Sequence, residues 1–288
     1  MTTGQEAVSR ARSPMTPYIC ETCGTEFPES ARPPDSCPVC ADERQYVGWE
    51  GQRWLTHAEL SGDHRNRIEM DAGLLGIGVT PGFAIDQRAL IIPSDAGNVM
   101  WEAVSLVTEA AVAAIRERGK VAAIALSHPH FYSSMVRWSE ALGSIPIYVH
   151  SADREWVRRS CQQVRLWEGE RLALCPTMTL IHCAGHFPGS TVLHWSEGVR
   201  GGGALFPGDA LQVVSDRRHV SFMYSYPNLI PLSPVVVHRM AGVLGDLEYE
   251  DVYGFTWRRN IIGGGKAAVE ESFARYLSAV GEAQRGSQ

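Results

Sequence analysis

Two groups of residues in this chain have the types and spacing for metal chemistry. The first is Cys20-Glu-Thr-Cys23-Gly24, followed after thirteen residues by Cys37-Pro-Val-Cys40. Two C-x-x-C turns at this spacing let short loops meet and present four thiolates tetrahedrally to one ion. Four sulfurs suit zinc and iron alike, so the ligand set leaves both open. The plainer reading is a structural zinc folding a segment too small to hold itself together, with an electron-carrying iron as the other. The second group is spread over three short segments: His128-Pro-His130, Gly185-His186-Phe-Pro-Gly189-Ser190 and Pro207-Gly208-Asp209. Histidines two apart in extended backbone point to the same side, and Pro129 between them stiffens their presentation.

Each of the three segments follows an expected strand. The short apolar run 121–126 reads as a buried strand delivering the chain into Ser127-His128, and 179–183 and 204–206 do the same for the other two. Strands are also expected over 83–92, 145–150, 191–195 and 251–253, with a turn at Ser94-Asp95-Ala-Gly97. Apolar residues at helical spacing predict helices over 102–118, 135–142, 152–159, 233–247 and 266–280. The stretch 43–71, with Trp49, Trp54, His57 and His64, fits no element clearly. The alternation in the middle of the chain indicates an α/β fold.

The knuckles, with Tyr18-Ile19 before the first cysteine, Gly24 after the second and Pro38 after the third, resemble a rubredoxin or zinc ribbon. The ordered set H-x-H, G-H-x-P-G-S and x-G-D, with Asp95-x-Gly97 upstream, resembles the metallo-β-lactamase superfamily over roughly residues 80 to 265. The resemblance implies an αββα sandwich behind the ribbon. The expected division is a disordered lead over 1–17, a ribbon over 18–47 and the large domain over 48–288. It also implies that His128, His130 and His186 hold one metal, with Asp209 as a fourth ligand. The family's full first motif is H-x-H-x-D-H, and here Tyr132 and Ser133 stand where its Asp and last His would build a second site. No histidine follows His238, so the late histidine of that second site is missing too, and Trp257 and Arg258 fall where it would be expected.

These features imply a metallohydrolase of a small molecule, with a mononuclear zinc lowering the pKa of bound water to about 7. The missing aspartate leaves the base role to Asp209 or Tyr132, and a tyrosine of ordinary pKa near 10 suits proton donation better. The alternatives are a mononuclear iron oxygenase or other redox enzyme on the same fold, similar to persulfide dioxygenases, and a non-catalytic metal-binding protein. Zinc is expected in both ribbon and histidine site, with iron possible in either. The aromatic, turn-rich segment 221–231 is a candidate pocket wall, and Arg217 and Arg218 are candidate anion contacts. Cys183 could line the site, while His150, His182 and His194 read as packing or hydrogen-bonding residues.

At 288 residues and 44% hydrophobic content the chain can bury a large core. A formal net charge of −6 makes a nucleic-acid backbone a poor partner and a small molecule the better one. The polar N-terminal stretch, broken by Pro14 and Pro17, lacks the apolar core of a secretory signal, and no apolar run is long enough for a membrane span. A cytoplasmic protein is therefore expected. Nothing in the sequence specifies oligomeric state.

Overall fold

A computed structural model describes residues 15–281. The N-terminal module is a three-stranded antiparallel sheet, ordered β2-β1-β3, of β1 (Thr16–Cys20), β2 (Glu26–Ser30) and β3 (Trp54–Thr56). Its second knuckle opens the one-turn helix α1 (Pro38–Ala41). Strand β1 starts at Thr16, inside the expected lead, and the sheet takes in Trp54–Thr56, beyond the expected ribbon boundary at 47. The rest of the lead that is left, 1–14, lies outside the described residues.

Helix α2 (His57–Asp63) follows directly, started by a capping box in which Thr56 and Glu59 satisfy each other's backbone amides. The first large sheet runs in chain order through β4 (Arg65–Asp71), β5 (Leu74–Thr80), β6 (Ala89–Ile92), β7 (Asn98–Trp101), β8 (Val121–Ala125), β9 (Ile147–His150) and β10 (Val164–Trp167). The second is built from β11 (Arg171–Cys175), β12 (Met178–His182), β13 (Thr191–Trp195) and β14 (Ala204–Phe206). Two short hairpins come next, β15 (Gln212–Val213) with β16 (Val220–Ser221) and β17 (Met223–Ser225) with β18 (Ile230–Pro231). Strands β19 (Asp251–Tyr253) and β20 (Asn260–Ile262) then complete the second sheet beside β14.

The period of two in each strand assigns the layers. Leu90, Ile92 and Ala125 of the first sheet meet Leu180, Leu193 and Phe206 of the second in one buried cluster. Their alternating neighbours face outward: Ala89, Ile91 and Ile124 pack under α3 (Glu109–Glu117) and α4 (Met135–Ala141), while Ile181, Val192 and Leu205 pack under α5 (Pro234–Leu244) and α6 (Gly265–Ala279). The result is helix, sheet, sheet, helix: the αββα sandwich. No helix among the described residues is long and apolar enough to cross a membrane.

Several elements differ from expectation. The helix expected over 102–118 begins only after Thr108, whose side chain caps it, because Glu102 sits at φ +68 and the chain from 103 to 107 is irregular. Ala103, Val104 and Leu106 are buried there without being helical. The helix expected over 152–159 is a 3₁₀ segment at Ser151–Trp156, and the strand expected over 83–92 is confined to Ala89–Ile92.

Candidate metal centres

The four cysteines meet in one buried cage. Cys20 Sγ lies 3.5 Å from Cys40 Sγ, and Cys23 Sγ lies 3.7 Å from Cys37 Sγ. These separations are far too long for disulfides, and all seven cysteines are free. They match the edge of about 3.8 Å in a tetrahedron with metal–sulfur bonds of about 2.3 Å. Gln52 ties the cage together, donating to Cys20 Sγ at 3.1 Å and accepting the Cys37 amide at 3.2 Å. The neighbouring thiols, Cys23 first, hold that of Cys20 far below its ordinary value, and Cys20 in turn pushes Cys23 and Cys40 up. Packing four thiols this closely is costly without a cation, and a four-sulfur metal fits the cage.

The second centre lies where the two large sheets meet at the ends of β8, β12 and β14. His128, His130, His186 and Asp209 are all buried, and one ligating atom from each falls within 4.8 Å of the others. His128 is extended, but His130 lies in a 3₁₀ turn, Pro129–Phe131. The two rings converge through that turn, not through the expected extended pair.

The hydrogen bonds assign the ring faces. His186 Nδ1 can only donate to its neighbours, the carbonyls of Tyr224 at 2.9 Å and Met223 at 3.3 Å, which leaves a bare lone pair on Nε2. That Nε2 faces His130 Nδ1 at 3.2 Å. His128 Nδ1 is hydrogen-bonded to Ser127 Oγ at 2.7 Å, and its Nε2 stands 3.3 Å from Asp209 Oδ2 with no aligned hydrogen bond. Edges of 3.2 and 3.3 Å fit a tetrahedron with bonds of about 2.0 to 2.1 Å to nitrogen and oxygen. Burial lowers the basicity of His130, and of His186 to about 3. Burial would raise the Asp209 carboxyl, but His128 and His186 beside it outweigh that and leave it lowered. Neutral rings at His130 and His186 and an ionised Asp209 are the states a metal requires.

Support comes from beneath. Glu102 Oε2 accepts the Ser127 amide at 3.1 Å, and burial raises this carboxyl well above its ordinary value. Gly208 must lack a side chain: its φ is +55, and a Cβ would overlap Ser127 Cβ and Oγ. The close approach of the Pro207-Gly208-Asp209 turn to Ser127 is what delivers Asp209 to His128.

Above the ligands is a cavity of about 130 Å³. Its walls include Arg44, Gln45 and Tyr46 from the ribbon arm, Tyr226 and Pro227 from the aromatic segment, and Phe255. A larger hollow of about 890 Å³, bordered by His57, Thr108, Arg116 and Arg137, contains none of the ligating residues.

Some expected residues are not at the site. Tyr132 is corrected: it is 2% exposed, packs into the core under the first sheet and does not line the cavity. The neighbouring Ser133 gives its carbonyl to the Glu26 amide of β2 at 3.1 Å, so this segment faces the ribbon. Trp257, at the position of the missing late histidine, does not line the cavity. It lies on β5, where a Cβ at Gly76 or Gly78 would come within 2.8 Å of its ring, and Phe255 takes the place at the cavity. Arg217 and Arg218 are exposed away from the cavity lining. Cys183 is buried outside the cavity, with its thiol pushed up to about 12 by burial. His150 stacks on His182 at 3.9 Å, and His194 bonds the Glu248 carbonyl at 2.9 Å. Arg44, Gln45, Gln212 and Phe255 were not anticipated. The one local signal was Asp42-x-Arg44 just after the last cysteine, a charge pair able to be buried.

The ligand geometry and the two-sheet sandwich define a protein of the metallo-β-lactamase fold carrying a four-cysteine ribbon. Among solved structures, DIM-1 metallo-beta-lactamase matches with a TM-score of 0.55 at 13% identity, covering 75% of this chain and 98% of that one. TMB-1 matches with the same values, and VMB-1 at pH 5.5 with a TM-score of 0.54 at 13% identity. No family model matches the sequence. The chain belongs to the family of the uncharacterized protein YmaE of Bacillus subtilis (strain 168), with 40% identity over 266 residues spanning 91% of this chain and 96% of YmaE.

Proposed function

We propose that this protein is a metal-dependent hydrolase of a small molecule, working with a single zinc ion held by His128, His130, His186 and Asp209. The observation that carries this reading is the convergence of those four side chains, with His130, His186 and Asp209 lining a small cavity. Among the described residues the only other cluster of ligating groups is the cysteine cage, which supports a mononuclear centre. A zinc ion held there supplies Lewis acidity and a water nucleophile at neutral pH.

The chain's own residues then have distinct tasks. The Tyr224 carbonyl and Ser127 Oγ hold the outer nitrogens of His186 and His128, fixing which ring atoms face inward. Asp209 presents Oδ2 toward His128, while Oδ1, faced by Gln212 Nε2 at 3.5 Å, is the oxygen left to take a proton from the attacking water. Ile85, Pro227 and Phe255 keep the cavity partly apolar and restrict water. We assign the cysteine cage a structural zinc, and place the protein in the cytoplasm, where cysteines that form no disulfide stay reduced.

The test is elemental analysis with an absorption spectrum on protein purified without added metal, comparing wild type with His128→Ala and Cys20→Ser. Two zincs per chain, with one lost in each variant, is the expected result and directs the search to hydrolase substrates. Iron at the histidine centre would replace the hydrolase reading with an oxygenase, and no metal there would remove both.

A further inference from the structure

We propose that the four-cysteine ribbon supplies the substrate-recognition half of the cleft, and that Gln45 Oε1 accepts a hydrogen bond from an N–H or O–H of the bound molecule. This rests on reading the His/Asp centre as the reacting end.

The arm that follows the last cysteine is fixed at several points. Arg44 forks onto Asp42, Nε to Oδ1 at 2.6 Å and Nη2 to Oδ2 at 2.8 Å. Its guanidinium lies 4.0 Å above the ring of Phe187, the residue after His186. Asn228 Nδ2 donates to the carbonyls of Glu43 at 2.8 Å and Gln45 at 3.1 Å, and Tyr224 donates its hydroxyl to Glu43 at 2.7 Å. The arm is therefore held against the same loops that carry and orient His186.

So held, Gln45 lines the cavity shared by His130, His186 and Asp209. Its side chain is 4% exposed, and Oε1 has no hydrogen-bond partner. A buried carbonyl oxygen left unpaired is costly and uncommon, and it persists where a ligand completes it. Ile85, Pro227 and Phe255 supply apolar parts of the same wall, against which a donor on the substrate would be left unpaired. A volume of about 130 Å³ is below the range of about 300 to 1,000 Å³ usual for pockets that enclose a drug-sized ligand. The part of the substrate that enters is thus small, with its donor only a few atoms from the reacting group. A short amide or a hydroxyl-bearing carbonyl compound has that form, whereas a simple carboxylate lacks the donor.

The experiment compares two small probes, acetohydroxamate with an N–H and O–H to donate, and acetate with neither, by titration calorimetry on wild type, Gln45→Met and Gln45→Glu. Metal content is measured on the same samples. Acetohydroxamate should bind about tenfold more weakly to Gln45→Met and keep most of its affinity for Gln45→Glu, which retains an acceptor. Acetate should bind wild type and Gln45→Met equally. Unchanged hydroxamate affinity in Gln45→Met, or equal losses of both probes, would overturn the assignment while leaving the hydrolase reading in place. A wild-type histidine centre without metal would instead remove the parent reading.

Discussion

Gln87 donates through Nε2 to the carbonyl of His130 at 3.0 Å, and the same nitrogen reaches the carbonyl of Cys23 at 2.8 Å. One buried amide thus joins the backbone of the cysteine cage to that of the histidine centre. Gln87→Leu leaves both carbonyls without this donor in a buried setting and should lower stability by about 2 to 4 kcal/mol. Urea unfolding of the two proteins measures it; a loss below about 1 kcal/mol would show that the ribbon is held by its other contacts.

Ser127 orients His128 from behind the ligand face. Ser127→Ala removes the partner of Nδ1 at 2.7 Å while leaving the four ligands in place. Metal affinity at the histidine centre should fall about 10- to 100-fold, with the cysteine cage unaffected. Competition with a chromogenic chelator resolves the two classes of site, and equal weakening of both would point to a general loss of structure.

Asp153 makes stability depend on pH. Burial pushes its carboxyl up to about 7, against the Gly189 amide and the charge of Arg44, and its Oδ2 has no partner. In the unfolded chain it ionises near 3.8, so between these values the unfolded state alone has released the proton. Stability therefore falls as pH rises from about 4 to 7 and levels off above, by about 4 kcal/mol at most. Asp153→Asn keeps an acceptor for the Gly189 amide and cannot ionise, so its advantage over wild type should grow between pH 5 and pH 8. A difference independent of pH would mean that Asp153 is ionised throughout.

Gly208→Ala tests the approach of the Asp209 turn to Ser127. The added methyl meets Ser127 and Glu102 and stands at a positive φ, so a loss of about 3 kcal/mol or more is expected. Metal content should fall with it, since Asp209 and His128 are positioned by the two sides of that contact. A stable variant with full metal would show that the turn can move without disturbing the ligands.

Much of the frame was legible along the chain. The runs 121–126, 191–195 and 204–206 are short, apolar and bounded by turn residues, and strands form there. The strands β4 and β5 were not legible, since Gly76 and Gly78 interrupt the pattern that would identify β5. Their reason is Trp257, far along the chain, which needs a surface without side chains to lie on. The irregular stretch after Glu102 misled in the opposite direction, because buried apolar residues in a packed loop can imitate helical spacing.

The sequence by itself singled out the two candidate ligand sets, because cysteines in paired C-x-x-C turns and histidines after short strands carry their chemistry in residue type and local spacing. Only the tertiary structure decided what surrounds them. That Tyr132 faces the core, that Phe255 and not Trp257 reaches the cavity, and that Arg44 and Gln45 of the ribbon wall a site more than eighty residues away follow from packing between distant segments. Ligation is a property of side chains and their immediate turns; the shape and polarity of a cleft arise from which surfaces the whole fold brings together.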